Sequence, residues 1–165
     1  MGISARPRGG DWLADEIKFW SNAGIRVVVS LLEKAEAEQL ELCDEGRYCE
    51  TSGIVFCSFP VPDRGVPGDR STLDKLLVNL EQNLRDGKGV LIHCRQGIGR
   101  AGLIASALLV RSGMTLAEAV RRVAEGRGAE VPETEEQRLW LRRLAEGEAA
   151  AQAAAARNRM GDMLK

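Results

Sequence analysis

The sequence predicts a single α/β domain in which a central, mostly parallel sheet is flanked by helices. Apolar runs rich in β-branched residues alternate along the chain with segments of helical periodicity, which is typical of this class. The 165 residues, 44% of them hydrophobic, are enough for one domain with a full core. We place this domain at residues 1–148. The alanine-rich residues 149–165 are expected to be a helical extension or tail, because alanine favours helix intrinsically.

In the first half of the chain, apolar runs predict the strands and a glycine ends the first helix. Residues 11–23 form a helix that Gly24 ends, with a rough apolar face made by Trp12, Ile17, Phe19 and Trp20. The nearly continuous apolar run at residues 25–32 predicts a strand that is covered on both faces. The other elements of this half are two short charged helices and one strand, at residues 33–42, 44–51 and 54–57.

In the second half, leucine spacing and capping residues predict the helices. Residues 71–87 form a helix, because five leucines fall on one of its faces. The apolar residues 90–92 predict a short strand, and the buried helix that follows ends at residue 112. Two further helices are predicted from their N-terminal capping residues, one at residues 115–125 and one from residue 134 onward.

Residues 93–100, with the sequence His-Cys-Arg-Gln-Gly-Ile-Gly-Arg, lie between a predicted strand and a predicted helix. The backbone N–H groups of such a glycine-containing loop point inward, and the helix dipole favours negative charge there. Cys94 at the mouth of this cradle would have its thiolate stabilised, and a thiolate is a nucleophile. Arg100 offers a planar fork to two phosphate oxygens. This context favours a reactive cysteine over the inert buried residue that a lone cysteine usually is.

This loop resembles the signature HCxxGxxR of the protein tyrosine phosphatase superfamily, and it looks most like the small dual-specificity and kinase-associated branch. Residues 58–67 are similar to the loop that carries the general acid of that family. Residues 127–137 look like the loop that places the hydrolytic water. The resemblance covers about residues 55–140. It implies a cysteine-dependent phosphomonoester hydrolase that acts through a phosphocysteine intermediate.

The resemblance also implies roles for single residues. Cys94 attacks phosphorus, and Arg100 and the loop amides stabilise the phosphate oxygens. His93 is expected to order the loop and tune the thiolate, although burial at a strand end explains a histidine equally well. Gln137 orients the attacking water or, more simply, completes a capping box with Thr134. The residues expected to bind substrate are Arg95, Gln96, Gly97, Ile98 and Gly99.

Asp63 is the expected general acid, because a leaving alkoxide or phenoxide needs a proton. The prolines around it, in residues 58–67, make a loop with stiff arms. Asp69 and Asp74 lie close by in sequence and are the alternative acids. An aspartate that merely favours a turn is the simpler interpretation of Asp63.

Two departures from the family limit the inference. Many members carry Ser or Thr after the loop arginine, whereas this chain has Ala101, so a weakly active phosphate-binding protein is one alternative. No aromatic loop is recognisable, which predicts a shallow pocket that accepts phosphoserine, phosphothreonine or phosphotyrosine. A second alternative is a thiol-based arsenate reductase, whose resolving cysteine would have to be Cys43, Cys49 or Cys57.

Composition excludes several other classes. A formal net charge of −1 gives no basic footprint for nucleic acid, and no apolar run reaches membrane-spanning length. One histidine and cysteines without CxxC spacing argue against a metal site, and the chemistry requires no cofactor. Four cysteines without a disulfide pattern favour a reducing, cytoplasmic compartment. We expect a monomer that acts on a phosphorylated protein or another phosphomonoester, with inorganic phosphate or sulfate able to occupy the loop.

Overall fold

The computed structural model describes residues 1–163, and within that range four parallel strands form one sheet in the order β1-β4-β2-β3. The strands are β1 (Gly2–Ala5), β2 (Ile25–Ser30), β3 (Val55–Ser58) and β4 (Gly89–Cys94). The helices are α1 (Leu13–Asn22), α2 (Lys34–Gln39), α3 (Glu45–Thr51), α4 (Arg70–Arg85), α5 (Gly99–Arg111), α6 (Leu116–Arg127) and α7 (Glu135–Met163). The predicted α/β fold is confirmed.

The two faces of the sheet carry separate hydrophobic cores. Val27 and Val29 of β2 pack into a larger cluster with residues of α4, α5, α6 and α7. Val28, which points the other way because side chains alternate along a strand, packs with residues of α1 and α3. Strand β2 is therefore covered on both faces, as its apolar run predicts.

Strand β1 is absent from the prediction. Only Ile3 among its residues is a strong strand former, so the local sequence carries little signal. The strand exists because it pairs with β4, in a register that sets Ala5 opposite Cys94. The edge of the sheet next to the loop at residues 93–100 is therefore made by the first residues of the chain.

The first helix is shorter than predicted, and its apolar face differs. A 3-10 turn occupies Gly10–Trp12, and α1 begins only at Leu13. Ile17 and Trp20 are buried, but the side chains of Trp12 and Phe19 lie on the surface. The predicted face was wrong for these two aromatic residues, because the helix turns Leu13 toward the core instead.

Helix α7 passes residue 149 without a break and continues to Met163. The division between a domain at residues 1–148 and a tail from residue 149 stays a prediction, and residues 164 and 165 lie outside the described part of the chain. Among the described residues, every helix falls short of the length or the apolar character that a membrane span requires.

Candidate active site

The loop at residues 93–100 joins the carboxyl end of β4 to the first turn of α5. Gly97 has a φ of +71°, and a Cβ atom on it would overlap the backbone of Ser4 and Ala5 in β1. Only glycine fits there, because it tolerates both the positive φ and the close approach. No side chain caps α5, so its first N–H groups stay open toward the loop.

Cys94 lies at the base of this loop and is 3% exposed. Its Sγ accepts a hydrogen bond of 3.2 Å from the backbone N–H of Gly97. The sulfur therefore faces the inward-pointing amides, as expected of a nucleophile in an anion cradle.

A pocket of about 130 Å³ opens above the sulfur. It brings together Asp63, Cys94 and Arg100, which the sequence placed in one site from two separate segments. The other residues that line it are Arg64, Arg95, Gln96, Gly99 and Glu133. Two of the five predicted substrate-binding residues do not line it.

Those two are Gly97, which is buried, and Ile98, whose side chain packs against the larger core cluster. They can contribute only backbone groups to a bound phosphate, because their side chains are absent or turned away. Arg95 and Gln96, in contrast, are exposed at the rim.

Arg100 is 2% exposed, yet its guanidinium is well supplied with partners. It donates to both carboxylate oxygens of Glu36, at 2.6 and 2.9 Å, and to the backbone carbonyl of Val61 at 3.1 Å. Its Nη2 also lies 3.0 Å from Oδ1 of Asp63. Burial is the largest influence on the Arg100 charge and opposes it, but the hydrogen bonds to Glu36 and the neighbouring negative charges together outweigh burial and raise the pKa of Arg100. The fork is thus held charged and in a fixed orientation.

Glu36 is a functional residue that the sequence analysis missed. It lies in α2, where it also accepts a hydrogen bond from the backbone N–H of Glu33. The hydrogen bonds from Arg100 hold the pKa of this carboxyl below its usual value. The capping pattern Glu33–Glu36 is visible in the sequence, but nothing local links it to a residue 64 positions away.

Asp63 is exposed and lies at the pocket, between Val61 and the turn at Arg64. The alternative acids have other partners. Asp69 caps α4, because its side chain accepts hydrogen bonds from the backbone N–H groups of Ser71 and Thr72. The hydrogen bonds from Thr72 contribute most to lowering the pKa of Asp69. Asp74 pairs with Arg70 on the surface of α4. The geometry therefore favours Asp63.

Gln137 is fully buried and does not line the pocket. Its Oε1 accepts from the backbone N–H groups of Glu133 and Thr134, and its Nε2 donates to the carbonyl of Gly65. Every amide atom is therefore engaged, which favours the capping role over water orientation. Its contact with Gly65 also fastens the loop that carries Asp63 to the start of α7.

Glu133 is a second residue that the sequence analysis missed. It lies four positions before Gln137, lines the pocket, and its Oε1 is 3.4 Å from Nη1 of Arg64. A Cβ atom on Gly99 would come within 2.8 Å of Glu133 Oε2, so this glycine makes room for the carboxylate. Glu133 therefore presents a carboxylate at the pocket wall, where Gln137 is absent.

Arg127, at the end of α6, holds the loop at residues 93–100 through hydrogen bonds. It donates to the carbonyl oxygens of Gly97 and Gln96, at 2.9 Å each. These two carbonyl oxygens of the loop are therefore held by an arginine outside it. The sequence analysis placed Arg127 in a neighbouring loop but gave it no role.

His93 lies on the opposite face of the sheet from Cys94 and is fully buried. Its Nε2 is 2.8 Å from Oε1 of the buried Glu45, but the two groups are misaligned and neither ring nitrogen completes a hydrogen bond. Trp20 packs at 6.0 Å from the ring, measured between centroids. Both expected roles of His93, ordering the loop and filling the core, stay predictions.

Cys57 lies too far from Cys94 to form a disulfide with it, and Cys49 packs in the core cluster on the other face of the sheet. All four cysteines are free, and Cys57 lies on β3, which β2 separates from β4. Two strand spacings amount to about 10 Å, beyond the Cα separation of a disulfide. Burial raises the pKa of Cys49 to about 12 and also raises that of Cys57.

Within residues 1–163, no group of three or more His, Cys, Asp or Glu side chains could hold a metal ion.

The sequence model of one family, described as "Polymorphic toxin system, DSP-PTPase phosphatase", matches residues 2–114. The chain belongs to this family of dual-specificity-type tyrosine phosphatases. The matched region includes the loop at residues 93–100 and Asp63, but it ends before Glu133 and Gln137.

Individual relatives agree with this membership. Cyclin-dependent kinase inhibitor 3 of Sus scrofa is 32% identical over 91 residues, which are 54% of this chain and 42% of that protein. The chain therefore spans about two fifths of the length of that relative. A structure titled "Tk-PTP in the active form" is 34% identical with a TM-score of 0.70, covering 81% of this chain and 86% of the other.

The fold is also that of kinase associated phosphatase, solved with its catalytic site cysteine replaced by serine. That structure superposes with a TM-score of 0.78 at 21% identity, covering 88% of this chain and 85% of the other. At this identity the likeness concerns the fold alone. It confirms the predicted arrangement of a parallel sheet between helices.

Proposed function

We propose that this protein hydrolyses phosphomonoesters through a phosphocysteine on Cys94. The observation that carries the proposal is the pocket of about 130 Å³ that holds the Cys94 sulfur, the Arg100 fork and the Asp63 carboxyl together. An anion cradle with a nucleophile at its base and an acid at its rim suits phosphoryl transfer, where positioning and electrostatics supply most of the rate.

In the first step, the Cys94 thiolate attacks phosphorus, an S–P bond forms and the bond to the leaving oxygen breaks. Asp63 gives its proton to that oxygen. Arg100 and the open amides of the loop and of α5 hold the three equatorial oxygens. Glu36 and the carbonyl of Val61 keep the guanidinium in place, so little reorganisation is needed during the reaction.

In the second step, water attacks the phosphocysteine and the S–P bond breaks. Asp63, now ionised, accepts the proton of the water, and phosphate leaves with the thiolate restored. Ala101 is fully buried directly after Arg100 and offers no hydroxyl to the departing sulfur. The hydrogen bond from Gly97 N–H is the protein contact that stabilises it.

The residues at the rim of the pocket support activity on phosphoserine, phosphothreonine and phosphotyrosine alike. Arg64, Arg95 and Gln96 line it, and no aromatic residue lines the pocket to grip a phenyl ring. A phosphorylated protein side chain of any of the three kinds, or another small phosphomonoester, is therefore the proposed substrate. The free thiols of the four cysteines fit a reducing, cytoplasmic setting. A monomer is part of this proposal.

The test is hydrolysis of para-nitrophenyl phosphate by the wild-type protein and by Cys94→Ser. We expect the rate to fall by at least about 10⁴-fold, because a serine hydroxyl is not ionised near neutral pH. Binding of tungstate, measured by calorimetry, should persist in the variant because the cradle remains.

Cys43→Ser is the matched control, because Cys43 is an exposed free thiol that does not line the pocket. Its rate should equal that of the wild-type protein. A Cys94→Ser protein that keeps a substantial share of the wild-type rate would contradict the proposed mechanism.

A further inference from the structure

A second cavity, of about 380 Å³, lies between α2, α3 and the carboxyl ends of β2 and β3. We refer to it as the α2–α3 cavity. Its apolar wall includes Leu32, Leu42 and Phe56, which belong to the cluster on the α1 and α3 face of the sheet. Cys94 belongs to the cluster on the other face. The cavity is therefore separate from the phosphate pocket, and its volume lies in the range of small-molecule sites.

The polar lining of the α2–α3 cavity is centred on Glu45, which is 2% exposed. Its Oε1 completes no hydrogen bond, because the ring nitrogen Nε2 of His93, at 2.8 Å, is close but misaligned. A buried carboxylate without well-aligned donors is unfavourable. A ligand that brings N–H donors and a positive charge into the cavity would satisfy it.

The remaining charges of the cavity largely cancel. Lys34 and Glu38 lie 3.9 Å apart at the exposed edge, so the unbalanced charge is that of Glu45. Ser30 and Ser58 add hydroxyls from neighbouring strands, and they face each other in register. One acceptor charge, two hydroxyls and an apolar wall suit a primary ammonium group on an apolar body.

Both helices that bound the α2–α3 cavity also contact the phosphate loop. Helix α3 brings Glu45 to His93, the residue next to Cys94. Helix α2, whose Ala37 lines the cavity, brings Glu36 to Arg100. A ligand between the two helices would therefore shift Glu45 and Glu36, which are the partners of His93 and Arg100.

We propose that the α2–α3 cavity binds a small organic ammonium ion with an apolar body, and that its occupancy slows the reaction at Cys94. The ammonium pairs with Glu45 and draws it away from His93, while the apolar body lies against Leu42 and Phe56. The binding half is independent of the proposed function, whereas the coupling half rests on it.

Binding is tested with three matched probes: 4-phenylbutylamine, 4-phenylbutanol and 4-phenylbutyrate. Titrations followed by ¹H–¹⁵N NMR should show saturable shifts at Ser30, Gly46 and Ser58 for the amine. The alcohol should bind at least tenfold more weakly, and the carboxylate more weakly still. Equal affinities of amine and alcohol, or shifts confined to other surfaces, would overturn the proposal.

Two variants locate the interaction. Glu45→Gln has nearly the same shape, so it should reduce the preference for the amine over the alcohol to less than about threefold. Ser58→Phe fills the cavity from an exposed position and should weaken both probes at least tenfold, which keeps the test decisive if Glu45→Gln does not fold. Unchanged amine binding in Ser58→Phe would place the site elsewhere and overturn the proposal.

Coupling is measured on the hydrolysis of para-nitrophenyl phosphate. Saturating amine should lower kcat about fivefold or more with little change in KM, since coupling of this size is common between linked sites. Tungstate should not displace the amine, because the two sites lie on different faces of the sheet. An unchanged kcat overturns the coupling. A protein that binds the amine but hydrolyses nothing would contradict the proposed function and leave the cavity assignment intact.

Discussion

Two buried side chains flank Cys94, and the protein holds them in opposite ways. Arg100 donates to the carboxylate of Glu36 and to the backbone carbonyl of Val61, and it also contacts Asp63. His93 lies on the other face of the sheet, close to Glu45, and neither of its ring nitrogens completes a hydrogen bond. A fully satisfied polar network fixes the geometry of its members, whereas a partly satisfied one lacks part of that constraint. The phosphate side is therefore preorganised by hydrogen bonds, and the opposite side is held mainly by packing.

The largest effect on the Arg100 side should come from Asp63→Asn. We expect kcat to fall by about 10²–10⁴-fold, the usual contribution of a positioned acid, with little change in KM. The basic limb of the pH–rate profile should flatten, because that limb reports ionisation of the acid. Asp69→Asn is the matched control. If that control showed the loss and Asp63→Asn did not, the acid assignment would be wrong.

Glu36→Gln should disturb the same network with a smaller effect. The amide keeps one acceptor for Arg100 but loses the paired charge, so kcat/KM should fall roughly 10- to 100-fold as the fork loses its fixed position. The free energy of unfolding should fall by about 1–3 kcal/mol, measured by urea denaturation. Glu38→Gln, on the exposed face of the same helix, should change neither quantity. Equal behaviour of the two variants would show that Glu36 does not position Arg100.

Ala101→Ser tests whether the departing sulfur lacks a donor. A charge-assisted hydrogen bond is worth ~1.5–3 kcal/mol, so a hydroxyl here should speed breakdown of the phosphocysteine about tenfold or more. The wild-type protein should show a burst of para-nitrophenol before a slower steady state, and the variant should shrink that burst. No burst, together with an unchanged steady-state rate in Ala101→Ser, would show that the amides already suffice.

The smallest effect concerns stability at low pH. Because Arg100 holds the pKa of Glu36 below its ordinary value of 4.5, the ion pair contributes fully above pH 4.5 and is lost as pH falls through the lower, folded-state pKa. The difference in free energy of unfolding between wild type and Glu36→Gln should thus shrink on moving from pH 7 to about pH 3. A constant difference would assign the effect of the substitution to packing.

The sequence alone predicted those parts of the site whose residues lie close together along the chain. Cys94 and Arg100 lie in one short loop between a strand and a helix, and Thr134 and Gln137 complete a capping box that four residues define. The partners of these residues were beyond reach. Glu36 contacts Arg100 because β2 and β4 are neighbours in the sheet. Local hydrophobic periodicity predicts where strands lie in the chain but not their order in the sheet. Strand β1 was missed for the same reason, since pairing and not propensity creates it.

That unpredicted strand has a consequence for how steady the nucleophile can be. Gly97 packs closely against the backbone of Ser4 and Ala5, so β1 supports the phosphate loop from below. Yet β1 is an edge strand of four residues, held by β4 on one side only. Edge elements open locally with less free energy than a whole domain needs to unfold. Opening of β1, measured by amide hydrogen exchange at residues 3–5, should therefore set the upper limit on the lifetime of the intact phosphate loop, however firmly Arg100 is held.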